Sequence, residues 1–278
     1  MSKRLLLNLL LVVVLSLLIG LAFLNPRETV KPLAFSKLEF NTVDSIIIEH
    51  KQQRTAIKKS GEVWQITEPF LAEADEFRIQ AMLNILAESN ATHYDIAEAD
   101  YEKFSLNPPL ATLTLNQQRF LFGSTSAVNN QRYVLTNNKL FLISDTHFAL
   151  ISSGFKNIIR RQLFASNTKF TAIDFDDTHL SKNDKGSWQS NHAEQSPDDI
   201  QKFITNWQHI QAFAVTDASK PFNGTRVSFR TTDDQVIRRI IRQTDVNTIV
   251  INPETELVYQ LDSSAFDSLT KLSSSEQP

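Results

Sequence analysis

The stretch Lys59-Ser60-Gly61-Glu62-Val63-Trp64 decides the fold, because a second version of it, Lys185-Gly186-Ser187-Trp188, occurs later in the chain. In both versions a glycine-containing turn leads into a tryptophan at the start of a strand-like run. Asp75 is a good N-cap for a helix, and Ser196-Pro197-Asp198-Asp199 caps a second helix, so that Asp75 and Asp199 follow the two tryptophans at the same spacing. The shared offset of 124 residues, from 64 to 188 and from 75 to 199, predicts an internal duplication.

The residues after each helix start repeat one order of elements. Strand-like runs alternate with turns such as Asn116-Gln117 and Asn137-Asn138, where asparagine tolerates the positive φ of a hairpin. Asp145 and Asp262 then open a closing helix in each half. The pattern in each copy predicts a strand pair, a helix, a meander and a helix. The alternative to a duplication is that the matches between the two halves arose by chance. Antiparallel hairpins combined with helices predict the α+β class.

A long apolar segment near the start predicts a membrane anchor. Leu5 to Leu24 is interrupted only by Asn8, Ser16 and Gly20, and a helix of that length spans about 30 Å. A cleaved signal peptide is the alternative, but its apolar region is usually shorter, about 7–15 residues. Lys3 and Arg4 place the N-terminus inside. We therefore expect a single-pass protein of the inner (plasma) membrane, with a cytoplasmic N-terminus and a periplasmic body.

The predicted fold class is thus α+β, with an N-terminal transmembrane helix followed by two duplicated lobes of antiparallel hairpins or meanders with helices. The predicted organisation follows from composition shifts and turn signals. It comprises a cytoplasmic head and transmembrane anchor (1–26), a tether (27–41), a first α+β lobe (42–151), a linker (152–169), a second α+β lobe (170–272) and a disordered tail (273–278).

The composition excludes several classes of function. The formal net charge of the 278 residues is −3, which gives no basic surface for nucleic acid. Cysteine is absent, so disulfides, thiolate metal sites and cysteine nucleophiles are excluded. The chain contains six glycines, too few for a glycine-rich phosphate loop. No Gly-x-Ser-x-Gly or His-Glu-x-x-His motif occurs. We therefore predict no catalytic, cofactor-binding or metal-binding residue, no cofactor, and no enzymatic activity.

One acidic cluster could be a metal site or a catalytic pair. On a strand, Asp174 and Asp176 would point to one face, where they could hold a divalent cation or act as an acid and base pair. The cluster lacks the glycine and the distal glutamate of a calcium loop. It reads more simply as a strand that runs out into a turn before His179.

Cationic residues in the second half predict a docking face. If residues 235–242 form a strand, Arg238 and Arg242 share one face, and the hairpin partner adds Arg226 or Arg230. Such a face suits an acidic protein partner or an anionic glycan. The alternative is a solvated sheet face whose charges block aggregation.

Several motifs, mainly within residues 60–150, resemble one bacterial family. They are Gly61–Pro69 (GEVWQITEP), Tyr101–Pro108 (YEKFSLNP), Leu121-Phe122-Gly123, Arg132-Tyr133-Val134 and Leu140–Ile143. Together they resemble the membrane-anchored family catalogued as domain of unknown function 4340, and Ser105 stands where that family's glycine is expected. The resemblance implies an auxiliary envelope component that accompanies an ABC-type exporter linked to gliding motility. It brings no catalytic residues.

Two non-enzymatic functions are consistent with these observations, and a third reading, an enzyme, would need a pocket that brings Asp174, Asp176 or a histidine beside a second titratable group. The first is a non-enzymatic, single-pass membrane-anchored extracytoplasmic module that binds a protein partner in an envelope complex such as an ABC-type exporter. The alternative is an extracytoplasmic ligand-binding or sensing protein with a cleft between its two lobes. The first predicts a broad exposed patch, and the second predicts a cleft with converging polar groups.

Overall fold

The computed structural model describes residues 11–16, 34–88, 92–127, 130–192 and 195–272. Besides the helical residues 11–16, the described part of the first half contains one sheet and two short α-helices, α1 (Glu76–Leu83) and α2 (Thr146–Ser152). The strands of this sheet are β1 (Ser45–His50), β2 (Gln53–Ser60), β3 (Val63–Glu68), β4 (Ala72–Glu73), β5 (Thr92–Tyr94), β6 (Ala111–Leu115), β7 (Gln118–Thr125), β8 (Gln131–Thr136) and β9 (Lys139–Ser144).

The second half also contains one sheet and two helices, α3 (Pro197–His209) and α4 (Ala265–Thr270). Its strands are β10 (Phe170–Phe175), β11 (Thr178–Lys182), β12 (Trp188–Ser190), β13 (Ala214–Asp217), β14 (Thr225–Thr231), β15 (Val236–Gln243), β16 (Thr248–Asn252) and β17 (Leu257–Leu261).

The two sheets share one strand order. The first runs β4-β3-β2-β1-β6-β7-β8-β9-β5, and the second runs β12-β11-β10-β14-β15-β16-β17-β13. The orders match position by position once β4 is set aside. The tryptophans occupy equivalent places, since Trp64 on β3 pairs with Lys59, and Trp188 on β12 pairs with Lys182.

Residues that accept a left-handed backbone form the hairpin turns. Asn116 (φ 53°) connects β6 to β7, while Asn137 and Asn138 (φ 50° and 59°) connect β8 to β9. Two consecutive positive φ angles suit the right-handed twist of the strands they join. These conformations confirm the turns predicted at both positions.

Side-chain caps start the longer helix of each half. Asp75 accepts a hydrogen bond from the Arg78 N–H at 3.1 Å before α1. Ser196 accepts one from the Asp199 N–H at 3.1 Å before α3, and Pro197 occupies the first helical position. Caps of this kind satisfy N–H groups that have no partner within the helix. The equivalent caps are therefore Asp75 and Ser196, which corrects the sequence match of Asp75 with Asp199.

One continuous hydrophobic core includes residues from both halves. Its first-half members include Ile57 and Leu113, and its second-half members include Ile173 and Phe229, each fully buried. Trp207 of α3 is also fully buried and donates its Nε1–H to the Leu269 carbonyl at 3.0 Å, which ties α3 to α4. Each half also has a smaller buried cluster of its own, Leu106, Leu135 and Leu140 in the first half and Ile240, Ile249, Ile251 and Val258 in the second.

The linker binds both halves through its backbone. The Arg160 N–H donates to the Glu73 carbonyl of β4 at 2.9 Å. One residue later, the Arg161 carbonyl accepts from the Ala212 N–H of the second half at 2.9 Å. Because backbone hydrogen bonds fix the segment on both sides, the junction between the halves has a defined geometry.

The α+β class predicted from the sequence for the two lobes is wrong. Strand accounts for 42% of the structure and helix for 24%, so the molecule is mostly antiparallel β. The apolar period after Asp75 predicts a longer helix than the eight residues of α1. It ends at Leu83, where a 3-10 turn (Asn84–Ala87) begins. The short helices are additions to the sheets and do not form a layer of comparable size.

Within the ranges that the structure describes, no helix is long and apolar enough to cross a membrane. The predicted span from residue 5 to 24 lies outside the described residues, except for 11–16, which are helical. The predicted tether at 27–41 is described only from residue 34, and the predicted tail at 273–278 lies outside the described residues.

Candidate functional site

The four arginines predicted as a docking surface lie on the outer face of the second sheet, which we call the arginine face. Arg226 and Arg230 alternate along β14 with buried residues that point to the core. Arg238 and Arg242 are exposed on β15. The register places Arg226 opposite Ile240, and thus diagonal to both β15 arginines. The structure therefore brings the four side chains to one face.

The arginine face holds positive charge without acidic partners. All four side chains are exposed, and in the described part of the chain none has a carboxylate oxygen within 4.0 Å. Diagonal neighbours on paired strands lie about 7–8 Å apart. Like charges on neighbouring positions of one sheet face repel each other. An acidic partner would relieve this repulsion.

A groove of about 760 Å³ crosses the arginine face beside the loop at 218–224. Arg226 and Arg238 line it together with the apolar side chains of Phe222 and Ile240. Lys220 also lines the groove, but it forms an ion pair with the Glu256 carboxylate. The groove therefore presents two guanidinium groups without acidic partners beside an apolar wall.

A second cavity, of about 410 Å³, lies on the core side of the same sheet, where the two halves meet. Its walls come from β4 with the residues before it, from the linker, and from the ends of β14 to β17. We call it the junction cavity; its central residues are Glu73, Arg160, Phe164, Arg239, Thr255 and Tyr259.

Arg239 is a buried cation without an acidic partner. It is 6% exposed, and its two terminal nitrogens donate to the carbonyls of Arg238 at 2.7 Å and Leu163 at 3.0 Å. Its Nε–H has no acceptor among the described residues, and none of their carboxylates lies within 4.0 Å. Burial lowers the pKa of the Arg239 guanidinium below its ordinary value, because a charge in a low-dielectric environment is costly.

The buried arginine of the first half, in contrast, has an acidic partner. Arg132 is 7% exposed and donates to the Asp145 carboxylate and to the Gly123 carbonyl, each at 2.5 Å. Its guanidinium also lies 3.6 Å from the ring centre of Phe148. Arg132 is therefore paired with a carboxylate, whereas Arg239, whose guanidinium lies 5.3 Å from the ring centre of Phe164, has no carboxylate within 4.0 Å among the described residues.

Unsatisfied polar atoms concentrate at the junction cavity. Four buried side-chain atoms lack a hydrogen-bond partner among the described residues: Arg160 Nε, Gln195 Oε1, Arg239 Nε and Thr255 Oγ1. All but the Gln195 atom belong to residues that line the junction cavity. The three comprise two N–H donors and a hydroxyl, a set that suits an acceptor with more than one oxygen.

The other ionisable groups of the junction cavity have defined states. Burial raises the pKa of the Glu73 carboxyl. Hydrogen bonds from Ser166 and the charge of Arg160 lower it by a larger amount, so the pKa of Glu73 is below its ordinary value. Burial raises the pKa of the Tyr259 phenol, an effect that Arg239 opposes. At neutral pH Glu73 is thus ionised and bound to Arg160, and Tyr259 is a neutral hydroxyl.

The other residues considered from the sequence are not brought together. Asp174 is exposed and contacts His179 at 2.6 Å. Asp176 lies in the turn after β10 with φ 46°, so it does not continue the strand as the shared-face interpretation required. In the described ranges, no three His, Asp or Glu side chains form a group that could hold a metal ion.

Sequence reasoning missed the role of Arg239, although the signal was present. On a strand, residues two apart share a face, and Arg239 lies between Ile237 and Ile241 in that pattern. A charged residue in an apolar alternation indicates a buried cation. The linker carbonyl of Leu163, which accepts a hydrogen bond from Arg239, is brought there by long-range contacts and has no local signal.

The chain was compared with known proteins. No curated protein and no solved structure matches it. The family model described as Domain of unknown function (DUF4340) matches residues 64–270, which is most of the chain and spans both sheets. The motifs noted between residues 60 and 150 thus extend into a match over both halves, and the chain belongs to the DUF4340 family.

Proposed function

We propose that this protein is a non-enzymatic interaction module that uses the arginine face to bind an acidic segment of a partner protein in the cell envelope. The observation that carries the proposal is the set of four exposed arginines on one sheet face without acidic partners among the described residues. Complementary charge steers association and selects the partner.

The groove indicates what the partner segment looks like. Arg226 and Arg238 would pair with carboxylates, and the wall formed by Phe222 and Ile240 would take an apolar side chain. Guanidinium groups bind carboxylates through paired hydrogen bonds, which adds geometric selectivity to the charge. An extended acidic peptide that carries a large apolar residue therefore fits this surface.

The proposed setting is an envelope complex such as an ABC-type exporter, with the protein as an auxiliary component. This part rests on the resemblance described from the sequence motifs. The arginine face supports a protein contact of this kind because it lies on the outer side of the sheet. A partner could bind there without entering the shared hydrophobic core.

The test compares two charge-matched variants of the tagged full-length chain in its own cells. The first variant changes Arg226, Arg230, Arg238 and Arg242 to Gln. The control changes four exposed lysines elsewhere to Gln: Lys58, Lys59, Lys185 and Lys202. After mild crosslinking, mass spectrometry identifies the recovered proteins and the crosslinked peptides.

We expect the wild type and the lysine control to recover the same partner, crosslinked through an acidic peptide, and the arginine variant to lose at least tenfold of it. Recovery should also fall as salt is raised. Recovery of an ABC-type permease or ATPase in near-equal amount would support the proposed setting. Equal recovery by both variants would refute the role of the arginine face.

A further inference from the structure

We infer that the junction cavity binds a small organic monocarboxylate, with the carboxylate at Arg239 and the apolar portion against the aromatic and aliphatic side of the cavity. The site lies on the opposite side of β15 from the arginine face. The inference therefore stands independently of the proposed partner binding.

The charge of the junction cavity determines the charge of the ligand. Glu73 neutralises Arg160 through an ion pair, and the lining also includes one exposed acid, Asp233, and one exposed base, Lys169. Arg239 has no carboxylate within 4.0 Å among the described residues, so the more distant Glu254 compensates its charge only in part. A monoanion would neutralise it, whereas a dianion such as a phosphate monoester would leave excess negative charge in a buried site.

The unsatisfied donors determine the geometry of the ligand. The Nε–H groups of Arg239 and Arg160 and the Thr255 hydroxyl are all buried without partners among the described residues. A carboxylate has two oxygens with about four acceptor sites, so it can accept more than one N–H of a guanidinium such as Arg239. Buried donors left unpaired each carry a desolvation penalty, which a bound carboxylate would remove.

The walls determine the rest of the ligand. Phe70, Phe164 and Ile237 line the cavity with apolar surface. A volume of about 410 Å³ lies within the usual range for small-molecule sites, roughly 300–1,000 Å³. A carboxylate on an aromatic ring or on a short aliphatic chain meets both requirements, whereas an ion such as acetate would leave the apolar wall uncovered.

The experiment uses the purified full-length chain and fluorine NMR of 4-fluorobenzoate. We expect saturable binding of 4-fluorobenzoate, displacement by hexanoate, and at least tenfold weaker binding of 4-fluorobenzamide, the neutral analogue of nearly equal shape. Equal binding of the benzoate and the benzamide would overturn the inference, as would the absence of saturable binding by both carboxylates. Displacement of 4-fluorobenzoate by low concentrations of inorganic phosphate would overturn the assignment to a carboxylate.

Matched variants locate the site. Arg239→Met removes the charge and keeps the aliphatic stem, and it should weaken 4-fluorobenzoate binding at least tenfold. Arg119→Met, at an exposed arginine on β7 of the first sheet, should leave the affinity within twofold. Thr255→Val should weaken binding about fivefold through the loss of one hydrogen bond. Circular dichroism verifies that each variant is folded, and unchanged binding by both Arg239→Met and Thr255→Val would place the ligand elsewhere.

Discussion

Individual residues with unusual backbone angles define the turns of this protein, and Ser105 is the clearest case. It follows the 3-10 helix Glu98–Phe104 with φ 56° and ψ 40°, which is the left-handed region. Residues other than glycine lose about 1–2 kcal/mol there because Cβ approaches the carbonyl oxygen. The glycine that the family resemblance led us to expect at this position therefore has a conformational reason.

Ser105→Gly should stabilise the protein by about 0.5–1 kcal/mol, since relief of the left-handed strain exceeds the added entropy of the unfolded chain. Urea unfolding of the full-length chain measures the change. Ser181→Gly on β11 is the control, because a strand residue gains nothing from glycine and should lose about 1 kcal/mol. A loss of stability in both variants would contradict the conformational explanation.

At the scale of elements, close backbone contacts restrict which residues a strand can carry. Gly123 lies on β7 where the pairing with β8 shifts register. A Cβ at this position would lie 2.1 Å from the Phe104 carbonyl oxygen. The Gly123 carbonyl also accepts a hydrogen bond from the buried Arg132. The irregularity in β7 is thus where the 3-10 helix packs against the sheet.

Gly123→Ala should destabilise the protein by about 2–3 kcal/mol, because the backbone must move to make room for the added carbon. Gly61→Ala is the matched control: its φ is +61°, but no atom lies within 4 Å of the added carbon. That variant should lose about 1 kcal/mol from backbone strain alone. Urea midpoints compare the two, and equal losses would show that the contact with Phe104 does not matter.

How far the sequence predicts each element depends on the range of the interactions that form it. The turns at Asn116 and Asn137 and the start of α1 at Asp75 follow from local chemistry, and the structure contains them. The two residues of β4 form a strand because they pair with β3 and contact the linker. No local sequence pattern predicts either of these interactions. The predicted fold class was wrong for a related reason: apolar periodicity indicates that a helix is present but does not determine where the helix ends.

The two candidate sites also differ in how far the sequence predicts them. The alternation of β14 and β15 places Arg226 and Arg238 on one face, as the strand hypothesis required. The junction cavity was not predicted as a set of residues, because its walls come from segments as distant as Glu73 and Tyr259. Burial of Arg239 depends on the linker covering that end of the sheet.

At the scale of the whole molecule, ionic and backbone contacts at the junction join the two halves. Glu73 of β4 pairs with Arg160 and accepts hydrogen bonds from the Ser166 N–H at 3.1 Å and the Ser166 hydroxyl at 2.7 Å. Its pKa is below the ordinary value in the folded protein. The carboxylate therefore stabilises the fold above the pKa of the unfolded chain, about 4.3, and this contribution disappears as the pH falls through the lower folded pKa.

Glu73→Gln should reduce the stability at pH 7 by about 1–2 kcal/mol, because it removes a charged hydrogen-bond acceptor and leaves Arg160 without its partner. The difference from the wild type should shrink as the pH is lowered from 5 to 3. Urea midpoints across that range measure it, with Glu62→Gln, an exposed residue of the β2–β3 turn, as the control that changes little. A difference that stays constant from pH 7 to pH 3 would exclude ionised Glu73 as the cause.

The unmatched strand β4 also has a consequence for how many ligands one chain can hold. In a repeated fold, equivalent positions would offer two equivalent sites. Only the first sheet, among the described residues, carries a strand such as β4 at its edge, and that strand supplies Glu73 to the junction cavity. The pseudosymmetry of the two halves is therefore broken at the cavity itself, and the binding stoichiometry should be one ligand per chain.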